Sequence, residues 1–492
     1  MPTHDRKAAL SADEARARVA RLCFEPAGGA QAGNAEPGPA GANPVEANLV
    51  GLEPELFAYY VRPDRTAGDR VPLESTDGRP GVLDVLDDLC RSEPGLRRTE
   101  SRPGHAPSFE INLEGAEVGG RLTFEPGAQI EHSTAPYSTG ARALAGTHDV
   151  FCLLQRTFGA HGIALVSTGV DLWHTDRDVA QQLRAPRYCA MAEYFDRRSE
   201  HGRTMMRLSA SQQVNLDLGT GRTRDERWLA AYLAGPLATA SFATSPREGW
   251  VNARARAWQG LDPTRTGHPP ALVDGSLERP EEQYADAALR ADVMLLVTPE
   301  GAVAGTPGWT FGDWMRDGHP DLGWPTADDL DYHLTTLFFE VRPRGFFEIR
   351  TTDALPAPWL TAPVVLWCGL LYDDRARGEA LEALDGSRAE LPARWELAAR
   401  RGLSDAELAR QATHTWNVAL EGAGRLGPDF FSDGCLATAE SFLETFTRRG
   451  RSPSDELLGI LQLDPVRALD WAIGEADCPS AADPSAAGHL SV

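Results

Sequence analysis

The sequence is short of cysteine and of basic residues, and each shortage argues against a class of protein. Its seven cysteines are an odd number and include no C-x-x-C pair, so we expect no disulfide framework or zinc ribbon and favour a reducing compartment. The 48 lysines and arginines are outnumbered by 71 aspartates and glutamates, which gives a net charge of −23. Such a surface argues against nucleic acid and against an anionic membrane as partners.

Long apolar runs and the common nucleotide-binding loops are also missing. The longest apolar run, residues 360–371, is interrupted by Pro363 and Gly369 and is too short to cross a bilayer. The N terminus is charged throughout and does not read as a secretory signal, so we expect a cytoplasmic protein. Neither G-x-x-x-x-G-K-[ST] nor G-x-G-x-x-G occurs, which argues against the common phosphate-binding loops.

Local composition divides the chain into four segments. Residues 1–25 read as an N-terminal helix with Ser11 as a cap, and residues 26–47 as a flexible linker rich in Gly, Pro and Ala. Residues 48–478 form the main domain, whose C-terminal part is mainly helical, and residues 479–492 read as a disordered tail. Strands and helices come in uneven blocks, which predicts an α+β fold rather than a doubly wound parallel sheet.

Periodicity and turn residues predict the elements of the main domain. The predicted strands are residues 48–60, 109–130, 163–172, 209–218 and 346–351. The predicted helices are residues 140–161, 187–197, 225–242 and 328–338, followed by a largely helical region from 371 to 461.

Acidic residues recur on the predicted strands. In LEPEL, residues 52–56, Glu53 and Glu55 are two positions apart and therefore share one face of a strand. FEPGAQIEH, residues 124–132, adds Glu125 and Glu131, and GFFEIR, residues 345–350, places Glu348 between apolar neighbours. Buried carboxylates are costly without partners. Three such segments therefore favour a site for a hard cation, Mg²⁺ or Mn²⁺, over a solvated strand face.

Two prolines bear on the geometry of these acidic strands. Pro54 has no N–H, so its segment is expected to be an edge strand or to lack one ladder hydrogen bond. Pro126-Gly127 predicts a bulge or turn that redirects Glu125.

Arginines form a second constellation. Arg254 and Arg265 lie in the stretch 252–267, and Arg342, Arg344 and Arg350 flank Glu348. In so acidic a chain, arginines beside carboxylate-bearing strands suggest clamps for phosphate or for a substrate carboxylate. Together the two constellations predict a Mg²⁺-dependent enzyme that handles phosphates.

An ordered series of motifs resembles the plant-type glutamate–cysteine ligase family, and especially its bacterial members that make γ-glutamylcysteine for ergothioneine. The series is VGLEPELF (50–57), FEPGAQIEHS (124–133), RYCAMAEYF (187–195), MMRLSASQQVNLD (205–217), ARARAWQGLDPTRTG (253–267), YHLTTLFFEVRP (332–343) and FFEIRTTDALP (346–356). The resemblance implies a glutamine synthetase-like catalytic fold, in which helices surround a funnel-shaped antiparallel sheet. It also identifies residues 48–478 as the catalytic domain.

The resemblance further implies roles for individual residues. The implied metal ligands are Glu53, Glu55, Glu125, Glu131, Gln213 and Glu348. The implied substrate- and ATP-binding residues are Arg254, Arg342, Asn215, Tyr188, Met191, Trp258 and Gln129. Arg265 and Arg350 are the implied catalytic residues.

The implied reaction joins the γ-carboxylate of L-glutamate to the amine of L-cysteine through γ-glutamyl phosphate, with ATP as the phosphoryl donor. One departure from the family is Gly127-Ala128, where Gly-Gly is usual. No residue can be tied to the cysteine thiol, so a different amine acceptor stays open, as does an inactive nucleotide-binding relative. The oligomer is expected to be a monomer or a homodimer.

Overall fold

The computed structural model describes residues 10–26, 47–99, 105–275 and 279–474. Most of the predicted linker and all of the predicted C-terminal tail, residues 479–492, lie outside these ranges.

An antiparallel sheet is the centre of the described fold. The strands of the described residues are β1 Val50–Val61, β2 Ala67–Arg70, β3 Leu96–Arg98, β4 Phe109–Ile111, β5 Gly120–Phe124, β6 Ile130–Thr134, β7 Ile163–Val166, β8 Gln212–Leu216, β9 Leu295–Thr298, β10 Gly301–Ala304, β11 Val341–Pro343 and β12 Phe347–Ile349. The central sheet has ten strands, in the order β11-β12-β8-β1-β6-β5-β4-β3, and β2 and β7 also pair with β1. A separate hairpin consists of β9 and β10.

Strand β1 is central, and it changes partners at Pro54. Residues 50–54 pair with β8, Glu55 and Leu56 pair with β6, and residues 57–60 pair with β7. The N–H groups of Val50 and Leu52 point away from β8, toward the Tyr137 carbonyl and the Thr134 hydroxyl. Pro54 lies two residues after Leu52, so its nitrogen also faces away from β8, and it carries no N–H to donate there. The edge-strand alternative is therefore wrong, and the missing ladder bond is the reading that fits.

Helices cover the sheet. They are α1 Ala12–Phe24, α2 Val82–Ser92, α3 Gly140–Ala160, α4 Pro186–Arg198, α5 Gly202–Leu208, α6 Gly221–Ser241, α7 Ala253–Gln259, α8 Pro263–Thr266, α9 Pro270–Asp274, α10 Pro280–Arg290, α11 Phe311–Asp317, α12 Ala327–Leu334, α13 Thr361–Tyr372, α14 Asp374–Leu384, α15 Leu391–Arg401, α16 Ala406–Arg425, α17 Asp433–Thr445, α18 Pro453–Leu461 and α19 Pro465–Ile473. The predicted helical C-terminal region is confirmed.

The main apolar core lies under one face of the sheet. Leu52, Val214 and Ile349 alternate with the polar residues of their strands and are fully buried against residues of α6 and α13. Helix α1 belongs to the same core through Ala15, Val19, Cys23 and Phe24. The N-terminal helix thus packs onto the main domain, and Ser11 caps it as predicted, with a reciprocal bond to Glu14.

The predicted α+β class, a large antiparallel sheet surrounded by helices, is confirmed. Among the described cysteines, Cys23, Cys90, Cys189, Cys368 and Cys435 are free, whereas Cys152 is disulfide-bonded. Within the described ranges, no helix has the length and apolar character needed to cross a membrane.

Candidate active site

The face of the sheet opposite the core carries the predicted site. Glu53 is directly paired with Gln213, Glu55 with Glu131, and Arg342 with Glu348. Paired residues of an antiparallel ladder project to the same face, so three neighbouring strand pairs converge on one side. This arrangement confirms the period-two reading of Glu53 and Glu55.

A cavity of about 380 Å³ lies over this face, a volume within the range of small-molecule sites. Helices α4, α5 and α7 and the segment after α12 close it from the other side. Thirteen predicted site residues line it: Glu53, Glu55, Glu125, Gln129, Glu131, Tyr188, Met191, Gln213, Arg254, Trp258, Arg342, Glu348 and Arg350. The structure thus brings together residues that are almost 300 positions apart in the chain.

Four carboxylates occupy one part of the cavity wall. Hydroxyl and amide groups orient three of them: Asn215 Nδ2 donates to Glu53 at 2.9 Å, and Ser211 Oγ donates to Glu55 at 2.7 Å. Thr123 and Ser133 each donate to Glu131 at 2.8 Å. In the part of the chain that the structure describes, none of Glu53, Glu55, Glu125 and Glu131 forms an ion pair with a basic side chain.

Burial and mutual repulsion disfavour the charged forms of these acids. Burial, followed by repulsion from Glu131 and Glu348, raises the pKa of Glu53 to about 7. Burial, followed by repulsion from Glu131 and Glu55, raises the pKa of Glu125 well above its usual range. The pKa values of Glu55 and Glu131 are also raised, mainly by burial. The cluster would therefore be stabilised by added positive charge.

The turn at Pro126-Gly127 aims Glu125, as predicted. The Glu125 N–H donates to the Gln129 carbonyl, and the Ala128 N–H donates back to the Glu125 carbonyl, both at 2.9 Å. A Cβ on Gly127 would lie 2.2 Å from the Arg207 carbonyl oxygen, so only glycine fits there. Ala128 has a φ of +66°, a conformation that glycine adopts readily and alanine does not.

Arginines surround Glu348, which also lines the cavity. Arg342, Arg344 and Arg350 contact its two carboxylate oxygens at 2.8 to 2.9 Å. Burial opposes ionisation of Glu348, but the three guanidinium groups outweigh it and lower the pKa of Glu348 to about 2. Arg350 also donates to Gln213 at 2.8 Å. Glu348 is thus the anchor of an arginine cluster, and its role as a metal ligand stays a prediction.

Trp258 contacts two of the cavity arginines. The guanidinium carbons of Arg254 and Arg350 lie 5.4 and 5.1 Å from its ring, within the range of cation–π attraction. Asp353, which is fully buried, lies 3.8 Å from Arg254 and accepts bonds from Ser245 and from the Thr244 N–H. Trp258 therefore forms part of the cavity wall and lies against two positively charged side chains.

The remaining wall is apolar and rich in methionine. Met191, Met205, Met206 and Phe338 line it, next to the ring of Tyr188. Met206 is buried and Met205 half-buried, and both reach the cavity.

The structure corrects the assignment of Arg265 as catalytic. Its side chain is fully buried and pairs with Asp262 at 2.8 Å. It also donates to the Thr336 carbonyl at 2.8 Å and to the Asp292 carbonyl at 2.6 Å. Arg265 does not line the cavity, because its donors already tie three segments of the interior together.

Two assigned binding residues also act on the protein itself. Asn215 does not line the cavity; its amide orients Glu53. Gln129 lines the cavity, but its side-chain oxygen Oε1 accepts a hydrogen bond from the Gly127 N–H, and its side-chain nitrogen Nε2 donates to the Ser209 carbonyl. Both ends of the Gln129 side-chain amide thus help to fix the turn, which leaves less hydrogen-bonding capacity for a substrate.

Some residues of the cavity wall were not singled out individually by the motif series. Arg344 was predicted only as one of the arginines that flank Glu348 and suggest a clamp, and the structure places it in the cavity wall just after the end of β11. Ser209, Ser211 and Thr335 have no comparable signal in the sequence, because isolated serines and threonines are common everywhere.

The donor set fits a hard divalent cation in chemistry. Carboxylate oxygens and the Gln213 amide oxygen are the ligands that Mg²⁺ and Mn²⁺ prefer, and burial, the largest cause, raises the pKa of each of the four acids. As placed, however, no three acids, histidines or cysteines of the described residues stand close enough together to hold a metal ion. A cation would therefore have to draw the carboxylates together.

Sequence comparison decides the family. A profile of glutamate-cysteine ligase family 2 (GCS2) matches residues 49–468. The chain belongs to this glutamate–cysteine ligase family. The match covers the four carboxylates whose pKa values are raised and all the arginines that line the cavity. The resemblance predicted from the motifs is thereby confirmed, and the protein is an ATP-dependent ligase with small-molecule substrates.

Individual relatives agree with the family assignment. The chain is 36% identical to glutamate–cysteine ligase EgtA of Mycolicibacterium smegmatis over 371 residues, covering 72% of this chain and 83% of that protein. It is 32% identical to EgtA of Mycobacterium tuberculosis over 62% of this chain and 72% of that protein. The chloroplastic glutamate–cysteine ligase of Medicago truncatula is 29% identical, over 74% and 72% of the two chains.

Proposed function

We propose that the protein joins the γ-carboxylate of L-glutamate to the amine of L-cysteine, with ATP as the phosphoryl donor and γ-glutamyl phosphate as the intermediate. The product is γ-glutamylcysteine, for the biosynthesis of ergothioneine or another small thiol. The observation that carries the proposal is one cavity with three chemically distinct walls: unpaired carboxylates, clustered arginines and methionines.

The arginine wall suits the first step, in which a glutamate γ-carboxylate oxygen attacks the γ-phosphorus of ATP. A free carboxylate is a poor acyl donor at neutral pH, so it has to be converted to the acyl phosphate first. Arg342, Arg344 and Arg350 present fixed positive charge where the phosphoryl group and the reacting carboxylate both carry negative charge. Fixed guanidinium groups stabilise the charge that spreads over the phosphoryl oxygens during transfer.

The carboxylate wall suits a Mg²⁺ ion, which when bound would neutralise the charge of the ATP phosphates. Glu53, Glu55, Glu125, Glu131 and Gln213 are the residues that would hold it. Their hydrogen bonds to Asn215, Ser211, Thr123 and Ser133 fix the orientation of three of the acids. Mn²⁺ has the same ligand preferences and would be accepted.

The methionine wall suits the second step, in which the cysteine amine attacks the acyl carbon and phosphate leaves. A thiol side chain is small and polarisable, and thioethers and aromatic rings are favourable neighbours for it. Met191, Met205 and Phe338 offer such neighbours without a charged group. The names of the EgtA and plant relatives support cysteine as the acceptor. No nucleophilic side chain is needed, because the acyl group is carried by phosphate.

An amine-acceptor panel tests the proposal. The protein is incubated with ATP, Mg²⁺, L-glutamate and one amine at a time, and ADP release and product mass are followed. We expect ADP and γ-glutamylcysteine with cysteine. ADP with another amine only would establish a different acceptor, and no turnover of the folded protein with any amine would indicate an inactive relative.

A thermal-shift titration tests the metal part separately. Added Mg²⁺ or Mn²⁺ should raise the melting temperature, because ligands that bind only the folded state stabilise it. Glu131→Gln should remove most of this shift, whereas Glu110→Gln, outside the cavity, should keep it. A shift of equal size in both variants would show that the cation binds elsewhere.

We also propose a cytoplasmic location and a monomeric or homodimeric state. The five free cysteines among the described residues support the former, whereas the disulfide of Cys152 is unusual for a reducing compartment. Size-exclusion chromatography with light scattering decides the latter.

A further inference from the structure

Helix α1 lies outside the residues that match the family profile, yet it touches the wall of the active-site cavity. The helix spans Ala12–Phe24, whereas the match begins at residue 49. At its C-terminal end, the Cys23 carbonyl accepts the N–H of Gly345 at 2.9 Å. Gly345 follows Arg344, which lines the cavity and donates to Glu348 at 2.8 Å. One hydrogen bond therefore separates α1 from a cavity arginine.

The turn that α1 contacts joins β11 to β12, the two strands that carry the arginine cluster. The Arg344 N–H donates to the Phe346 carbonyl at 2.8 Å, and Gly345 has a φ of +76°. The Gly345 N–H consequently points out of the turn, toward α1. The position of α1 therefore influences the position of the Arg344 backbone.

The helix itself is firmly held. The ring of Phe24 lies edge-on to Trp228 and Tyr284, each with a centroid distance of 5.7 Å. Arg16 pairs with Asp286 on α10 at 2.8 Å. The Trp228 indole also donates to the Val341 carbonyl of β11 at 3.4 Å, so the residue that seats Phe24 also contacts the strand before the turn.

A second contact links α1 to the segment after α12. Arg18 binds both carboxylate oxygens of Asp331, which lies on α12. Thr335 and Phe338, just beyond the end of α12, line the cavity. Helix α1 thus buttresses two separate parts of the cavity wall.

We propose that helix α1 is a positioning element of the active site, which holds the β11–β12 turn so that Arg344 faces the phosphate-binding region. This inference rests on the proposed function, since it assigns Arg344 to nucleotide phosphate. In this account Phe24 acts through Arg344 and touches no substrate. The segment before the family-matched region is therefore part of the working ligase.

A double-mutant cycle tests the route through Arg344. Phe24→Leu, which shifts the seat of α1 while keeping apolar bulk, should raise the KM for ATP about fivefold and leave kcat within about twofold. In an Arg344→Gln background, Phe24→Leu should change the KM for ATP by less than about twofold. Phe442→Leu, another buried aromatic in the distant helix α17, is the matched control and should leave this KM unchanged in both backgrounds.

Hydrogen exchange of the wild-type protein provides a test that needs no variant. If docking of α1 favours nucleotide binding, nucleotide must favour docking of α1 to the same extent. Saturating Mg–ATP should therefore slow exchange of the α1 amides, residues 15–24, and leave α17 unchanged.

The outcomes separate this inference from the proposed function. Absence of product with every amine, together with slower exchange in α1, would refute the ligase reaction but keep the positioning role. Unchanged exchange in α1 with bound Mg–ATP would overturn the positioning role. The positioning role would also be overturned if the change in the KM for ATP of the double variant equalled the product of the changes in the two single variants.

Discussion

Glu55 and Glu131 occupy directly paired positions of strands β1 and β6, so two buried carboxylates stand side by side in the wall of one cavity. Like charges at paired positions destabilise a sheet. Repulsion between the two carboxylates therefore destabilises the folded protein, and a bound cation would relieve it.

Glu131→Gln tests this relationship. The amide keeps the shape and the acceptor oxygen, so the metal-free protein should be as stable as the wild type, or more stable by about 1 kcal/mol. Turnover should fall by at least about a hundredfold, since a cation ligand is lost. Chemical denaturation and ADP release measure the two effects. A rate near that of the wild type would show that Glu131 is not a ligand.

Arg265→Lys tests the correction made by the structure. Lysine keeps the charge but cannot donate to Asp262, Thr336 and Asp292 at once, so the free energy of unfolding should fall by about 1 to 3 kcal/mol. The value of kcat/KM per folded molecule should change little. Arg350→Lys is the comparison, where kcat/KM should fall strongly and stability should fall less. Equal losses of kcat/KM in both would return Arg265 to the catalytic set.

Ala128→Gly tests backbone strain in the turn that aims Glu125. Relief of the left-handed conformation should offset the lost methyl burial, so stability should be unchanged or raised by up to about 1 kcal/mol. The control Ala398→Gly, at a buried position of helix α15, should lower it by about 1 kcal/mol or more. Urea unfolding measures both. Equal losses in the two variants would show that Ala128 is unstrained.

His333→Gln tests the pH dependence of stability. Burial, followed by repulsion from Arg265, lowers the pKa of His333 to about 3, and its Nε2 hydrogen-bonds the Ala288 carbonyl at 2.9 Å. Between this value and about 6.5 the unfolded chain binds the extra proton, so stability falls as the pH falls through that window.

As the pH falls through this window, the free energy of unfolding should fall less steeply in the variant than in the wild type, by up to about 1.4 kcal/mol per pH unit. Urea unfolding at several pH values between 4 and 7 measures this slope. The exposed His161→Gln serves as the control and should keep the slope of the wild type. The same slope in all three proteins would show that His333 is not the group responsible.

Period-two spacing was enough to predict that Glu53 and Glu55 share a strand face, and the motif order predicted which other strands join them. Spacing could not show that Arg265 is interior, because its partners Asp292 and Thr336 come from other segments. It also could not show that Met205 and Met206 reach the cavity, since core and wall methionines look alike in a sequence. The docking of α1 depends on Trp228 and Tyr284, which are about 200 residues or more away from it in the chain.

The γ-glutamyl phosphate step is tested most directly by isotope transfer. L-Glutamate with an ¹⁸O-labelled γ-carboxylate is incubated with ATP, Mg²⁺ and L-cysteine, and the released phosphate is analysed by mass spectrometry. Carboxylate attack on ATP, followed by amine attack on the acyl carbon, predicts one ¹⁸O atom in each phosphate released. Unlabelled phosphate formed together with γ-glutamylcysteine would contradict the account.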